Sequence, residues 1–82
     1  MVEQKPSVGR VVHYQVAGHD SDDIRYNYAK ILPAIIVRVW SDTCVNLKVF
    51  TDGPNDGWKT SVVLGNEPGQ WSWPPYVPPI KE

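Results

Sequence analysis

The side chains able to do nucleophilic or metal chemistry are few in this sequence, and they form no recognised motif. The single cysteine, Cys44, opens an apolar run, and no spacing ties it to His13 or His19. A thiol without a base beside it behaves as a small packed side chain. The two histidines are six positions apart, which is not a zinc-ligand spacing. We therefore predict that the protein is not an enzyme and that it has no catalytic residue, metal site or cofactor.

The densest acidic stretch, Asp20-Ser-Asp-Asp23, follows directly after His19. It lacks the glycine and the distant bidentate glutamate of a calcium-binding loop, so a solvated acidic loop is favoured. No glycine-rich phosphate loop is present either, which weighs against an ATPase or a dinucleotide-dependent dehydrogenase.

A set of polar side chains alternates with apolar positions on the predicted strands and is the best candidate for a binding surface. Arginine and lysine beside hydroxyls and aromatic rings suit an anionic small molecule such as a nucleotide, although an ordinary solvated barrel face has the same pattern. Trp71 and Trp73 are two positions apart, so both indoles leave the strand on one side. They fit either ligand stacking or packing in the core or at an interface. The predicted ligand-binding residues are Arg10, His13, Arg38, Trp40, Asn46, Lys48, Thr60, Ser61, Trp71 and Trp73.

These side chains are organised around a predicted β-hairpin at 34–50. Two seven-residue runs rich in Val and Ile flank the polar break at 41–43. In the second run Val45, Leu47 and Val49 alternate with polar residues and should face the core. The first run is apolar on both sides, so it should be central in the sheet or covered by another segment or subunit. The opposite face groups Ile36 with Arg38, Trp40, Asn46 and Lys48.

Three further strands are predicted, at 10–16, 58–64 and 70–73, with Val12, Tyr14 and Val16 facing inward on the first. A long surface loop is predicted at 17–32, in which 28–32 fits either a short helical turn or an irregular strand. Two Asp-Gly pairs around a proline mark a turn at 51–57. Short strands joined by long, short, medium and short loops resemble an SH3-like barrel. We therefore predict an all-β fold, a small five-stranded SH3-like barrel with a long first loop and a Pro-rich C-terminal tail.

The length of 82 residues allows one domain, predicted to span 1–82, with a barrel core at about 8–74 and an extended tail at 75–82. A chain this short has a small core, which an oligomer would enlarge. The net charge of −1 does not favour a general nucleic-acid binder. No apolar run approaches the length of about 18 residues that a membrane span needs, and the N-terminus has no signal-peptide pattern.

Five short motifs occur in a fixed order: Gly9-Arg-Val-Val-His-Tyr14, Ala34-Ile-Ile-Val-Arg-Val39, Val45-Asn-Leu-Lys-Val-Phe50, Thr60-Ser-Val62 and Gly69-Gln-Trp-Ser-Trp-Pro74. Together they resemble a family of small tailed-bacteriophage and prophage proteins over about residues 8–74. The resemblance implies a phage origin and a place in the cytoplasm of the infected bacterial host, or in the virion. It supplies no activity, and the loop at 17–32 is longer than the family leads us to expect.

In that setting we expect a non-enzymatic binding protein, an oligomeric sponge that sequesters a nucleotide immune signal of the host. The alternative is a protein-interaction module, either a host-factor inhibitor or a virion accessory protein. Nucleic-acid binding ranks third. The expected partners are an anionic small molecule such as a cyclic nucleotide, a host or virion protein, and further copies of the chain in a homo-oligomer.

Overall fold

Five antiparallel strands form one curled sheet in the computed structural model, which describes residues 4–77 and 79. The strands are β1 (Val11–Gln15), β2 (Ile31–Val39), β3 (Cys44–Val49), β4 (Gly57–Val63) and β5 (Trp71–Ser72), with one short 3-10 helix at Tyr26–Tyr28. The predicted all-β, five-stranded fold is confirmed. Residues 78 and 80–82 of the predicted tail, like residues 1–3, lie outside the described residues.

The sheet order is β4-β3-β2-β1-β5, so the strands follow one another as a meander with β5 returning to pair with β1. Leu64, just past β4, forms a parallel bridge with Trp71 of β5. This contact brings the two edges of the sheet together, and the curled sheet becomes a small barrel. β2 is the central strand, which is one of the two alternatives that its apolar faces predicted.

The concave face of the sheet supplies the core. Its fully buried side chains are Val12, Tyr14, Ala34, Ile36, Val45, Leu47, Val49 and Trp71. The predicted inward positions of Val45, Leu47 and Val49 are confirmed. The grouping of Ile36 with the polar face was wrong, because Ile36 pairs with Leu47 and points with it into the core.

β2 begins earlier than predicted, at Ile31, and passes through Pro33. The carbonyl of Pro33 accepts a hydrogen bond from the amide of Phe50, just past the end of β3 (2.9 Å). The nitrogen of Pro33 faces the same side, where β3 has already ended, so its missing N–H removes almost nothing from the ladder. The first loop is therefore 16–30, slightly shorter than predicted.

Two irregularities flank Asn46 in β3. On one side the pairing with β2 skips Val37, and on the other Thr60 and Ser61 of β4 together oppose Asn46. Such β-bulges change the direction in which the neighbouring side chains point. Asn46 is consequently buried, contrary to the alternation that placed it outward with Lys48.

The barrel has two ends, which differ in what they carry. The "loop end" carries the loops 16–30 and 50–56. The "hairpin end" carries the turn 40–43, where the carbonyl of Thr43 accepts hydrogen bonds from the amide of Leu64 (2.8 Å) and from Nε1 of Trp71 (3.0 Å). Within the part of the chain that the structure describes, no helix has the length and hydrophobicity to cross a membrane.

Candidate functional site

A polar cluster at the hairpin end is centred on the side-chain oxygen of Asn46. Oδ1 accepts hydrogen bonds from Nε1 of Trp40 (2.9 Å), Oγ1 of Thr60 (3.0 Å) and the amide of Ser61 (2.8 Å). Ser61 has a φ of 55°, in the left-handed region that is unfavourable for a residue with a side chain. The bond to Asn46 fixes this backbone conformation, and it fixes the indole of Trp40 at the same time.

Arg38 completes this cluster from the bulged part of β2. Its guanidinium carbon lies 4.1 Å from the ring centroid of Trp40, a cation–π contact. Trp40 is 52% exposed, and Arg38 is exposed as well. No ion pair to Arg38 occurs among residues 4–77 and 79. We call Arg38, Trp40, Asn46, Thr60 and Ser61 the Arg38–Trp40 site.

A second arginine–tryptophan pair involves Arg10 and Trp73, with the guanidinium carbon 4.9 Å from the ring centroid. Trp73 in turn meets Trp71 edge-on, at 5.2 Å between centroids and 82° between ring planes. The two indoles lie together, as their spacing indicated. However, Trp71 is fully buried in the core, and perpendicular rings cannot sandwich a flat ligand. Trp71 therefore presents no accessible ring face to a ligand, which favours the packing alternative for this residue.

The remaining predicted site residues lie elsewhere. Lys48 and His13 point to the convex outer face of the sheet, where Lys48 is flanked by Ile35 and Trp58. The ten predicted residues therefore do not share one surface. The bulges beside Asn46 gather five of them, the closing of the barrel buries Trp71 and brings Arg10 to Trp73, and regular pleating leaves Lys48 and His13 outside.

The loop end contains a buried ionic network that the sequence did not indicate. Asp20 is only 5% exposed, and its carboxylate accepts hydrogen bonds from the hydroxyl of Tyr14 (2.8 and 3.0 Å) and from the amide of Ala17 (2.8 Å). Nζ of Lys59 lies 2.8 Å from Oδ1 of the same carboxylate. The acidic stretch was predicted to be solvated, and for Asp20 that prediction is wrong.

The network sets the protonation of its members. Burial by itself raises the pKa of Asp20, but the hydrogen bonds from Lys59, Ala17 and Tyr14 and the charge of Lys59 outweigh it and lower that pKa. Burial, followed by the hydrogen bond to Asp20 and its negative charge, raises the pKa of Tyr14. Asp20 is thus an anion with its oxygens already satisfied by the protein, and it has a structural role.

Further contacts, outside this network, hold the long loop against the barrel. Ile24 of this loop is buried against Gly57, and the ring of Tyr26 lies against Gly53. Nδ2 of Asn27 donates to Asp52 (3.2 Å), within the loop 50–56. The loop 16–30 is therefore packed onto its neighbour, and an open depression of about 340 Å³ lies along its outer side.

The two ends also differ in charge. Among the residues that the structure describes, the hairpin end carries the cations Lys5, Arg10 and Arg38 and the acid Asp42, which is 3.9 Å from Lys5. The loop end carries an excess of acids: Asp20, Asp22, Asp23, Asp52 and Asp56 against Arg25, Lys30 and Lys59. An anionic ligand is therefore favoured at the hairpin end. Among residues 4–77 and 79, no three His, Cys, Asp or Glu side chains are grouped so as to hold a metal ion.

Comparison with known proteins gives no relative. No family model matches the chain, and no match is found among curated proteins or among solved structures. The resemblance to phage proteins stays a prediction, and function has to be argued from geometry.

Proposed function

We propose that this chain is a non-enzymatic binding protein that takes an anionic ligand with a flat ring, of the nucleotide class, at the Arg38–Trp40 site. One observation carries the proposal. The half-exposed indole of Trp40 is held in place by its hydrogen bond to Asn46. The exposed guanidinium of Arg38 lies over this indole and has no carboxylate partner among the described residues. Ring and cation are therefore adjacent, oriented and accessible.

The phosphate of such a ligand would be bound by Arg38. A guanidinium presents several N–H donors in a planar fork that matches phosphate oxygens, and it stays charged at every physiological pH. The hydroxyl of Ser61, 3.4 Å from that of Thr60, can add one donor, whereas the hydroxyl of Thr60 already donates to Asn46. Arg10 increases the positive potential of the same end of the barrel.

The base of the ligand would stack on Trp40. Stacking of a base on an aromatic side chain contributes about 1–3 kcal/mol and tolerates different bases. The hydrogen bond from Nε1 to Asn46 holds the indole in place before the ligand arrives, so less conformational entropy is lost on binding.

The biological setting follows the phage resemblance. In that setting the ligand is a cyclic nucleotide that signals in the host's immune response, and the protein sequesters it. The support for this finer proposal is the sequence resemblance together with the anion-binding chemistry of the site.

Isothermal titration calorimetry and tryptophan fluorescence against cyclic di- and trinucleotides and cyclic ADP-ribose isomers test the proposal. We expect micromolar or tighter binding of at least one of them, and recovery of the ligand unchanged by chromatography. Arg38→Gln and Trp40→Leu should each weaken binding tenfold or more, since a hydrogen bond to a charged group contributes about 1.5–3 kcal/mol.

Two matched variants serve as controls. Lys30→Gln removes a cation at the loop end, and Trp58→Leu removes an exposed indole on the outer face. Both should bind the ligand as the parent protein does. Absence of binding by the folded protein, or equal losses in the controls, would contradict the proposal, and chemical conversion of the ligand would overturn its non-enzymatic part.

A further inference from the structure

We infer that the convex outer face of the sheet is the interface of a symmetric dimer, in which a second copy of this chain covers it. This inference does not require a ligand at the Arg38–Trp40 site, and of that site it uses only the positive charge of Arg38. It rests on the residues that the strand register places side by side, and on the opposite charges at the two ends of the barrel.

One continuous row of side chains crosses four strands on the outer face. The register pairs Val11 with Ile35, Ile35 with Lys48, and Lys48 with Trp58. Trp58 is 60% exposed and Val11 is 53% exposed, Ile35 is partly buried, and Lys48 is the polar member of the row. The stem of a lysine can lie along apolar surface while its amine reaches water, so Lys48 does not prevent this row from being covered.

The adjoining positions extend this surface. Pro33 is exposed, with Phe50 hydrogen-bonded beside it and His13 opposite it, and Ile31 at the start of β2 is half exposed. A continuous patch of exposed apolar side chains is typical of an interaction site. A second sheet laid against it, about 10 Å away, is the usual way in which a sheet face is buried.

The charges favour a second copy as the occupant. In a dimer whose two-fold axis runs across the strands, the basic hairpin end of one copy lies over the acidic loop end of the other. Lys5, Arg10 and Arg38 would then approach Asp52 and Asp56 twice, once on each side of the axis. The net charge of −1 adds little repulsion between copies. Among the described strand residues, the basic side chains on this face are Lys48 and His13, so a polyanionic partner gains little there.

Two substitutions of the same residue type give a matched test. Val11 lies in the row, whereas Val8, which is 67% exposed, lies in the turn before β1 and outside the row. Sedimentation equilibrium of the ligand-free protein, from low to high micromolar concentration, should give a concentration-dependent dimer. Val11→Glu should raise its dissociation constant tenfold or more. Val8→Glu should raise it by a much smaller factor, because it adds a negative charge near the hairpin end and leaves the apolar row intact.

Varying the salt concentration separates the apolar from the ionic contribution to the affinity of the dimer. Raising NaCl from about 50 mM to about 500 mM should weaken the dimer, because complementary surface charges are screened. A strictly monomeric parent protein, or a dimer that Val11→Glu leaves intact, would overturn the inference. A dimer whose dissociation constant does not change with salt concentration would refute the proposed orientation of the two copies. Because no ligand is present, these outcomes are independent of nucleotide binding.

Discussion

The two ends of the barrel differ in how their charged side chains are partnered. At the loop end, an acid, a phenol and an ammonium group bind one another inside the protein, and Asp20 receives all of its donors from the chain itself. At the hairpin end, two guanidinium groups lie over indole rings, and neither has an acidic partner in the described part of the chain.

This difference separates groups needed for folding from groups available for binding. A buried carboxylate with every oxygen satisfied has nothing left to offer a ligand, and removing it leaves its donors unpaired. An exposed guanidinium on a ring contributes little to stability and keeps its N–H donors free for a ligand. Substitutions at the two ends should therefore have opposite profiles, with large losses of stability at one and small losses at the other.

The largest effect is expected from Asp20→Ala. It leaves the hydroxyl of Tyr14, the amide of Ala17 and the amine of Lys59 without an acceptor at the base of the loop. Leaving a buried donor without an acceptor costs about 1–3 kcal/mol, which applies to both Tyr14 and Ala17. The partly exposed Lys59 adds a smaller loss, so the total is comparable to the stability of about 3–5 kcal/mol that is typical of a domain of this size. Urea denaturation followed by circular dichroism measures the change.

Asp22→Ala is the control for that experiment, because Asp22 lies in the same loop and is exposed, with Arg25 3.9 Å away. It should change the free energy of unfolding by at most about 0.5 kcal/mol. Equal losses in the two variants would mean that the buried network does not hold the loop end together.

The pH dependence of stability should reveal the same network, with a smaller effect than removal of the side chain. The pKa of Asp20 is lower when folded, so the unfolded chain binds more protons in acid and stability falls as the pH falls below about 4. The pKa of Tyr14 is raised when folded, so its contribution is complete below about pH 10 and is lost as the pH rises further.

Urea midpoints measured from acid to alkaline pH test both limits. Asp20→Asn should flatten the acid limb, and Tyr14→Phe should flatten the alkaline limb, each relative to the parent protein. If both variants keep the parent's profile at both extremes, other groups govern the pH dependence.

The packing of the long loop predicts a further, intermediate effect. A Cβ at Gly57 would come within 2.6 Å of the side chain of Ile24, whereas a Cβ at Gly18 would meet nothing within 4 Å. Gly57→Ala should therefore destabilise the protein by about 1–3 kcal/mol, as overpacking does. Gly18→Ala should be neutral or slightly stabilising. Thermal denaturation of both variants gives the comparison, and equal melting temperatures would contradict the close contact.

Much of the fold could be predicted from the sequence, because alternation within a strand is a local property. The spacing of Val45, Leu47 and Val49 alone predicts that they face inward, and the apolar character of 34–40 on both sides indicates a central or a covered strand. Because of Pro33, the predicted start of β2 was too late. The energetic cost of a proline in a strand depends on whether the neighbouring strand continues beside it.

The sites were harder to predict from the sequence, because they depend on pairing between residues far apart in the chain. Asp20 and Lys59 are 39 positions apart, and no local pattern joins them. The bulges beside Asn46 involve Val37, Thr60 and Ser61, none of them a glycine, so nothing in the sequence marked the change of register. The spacing of Trp71 and Trp73 predicted that they lie together, but only the closing of the barrel decided which one is buried.

The smallest effect is expected at the hairpin end, from Arg38→Gln. The variant keeps the length and polarity of the side chain and loses the charge over Trp40, a contact worth about 0.5–1 kcal/mol at an exposed site. The free energy of unfolding should fall by no more than this, while nucleotide affinity falls tenfold or more. Arg10→Gln, which leaves the Trp40 contact intact, is the companion variant. A loss of stability from Arg38→Gln as large as that from Asp20→Ala would mean that Arg38 is a structural residue, and the contrast between the two ends would fail.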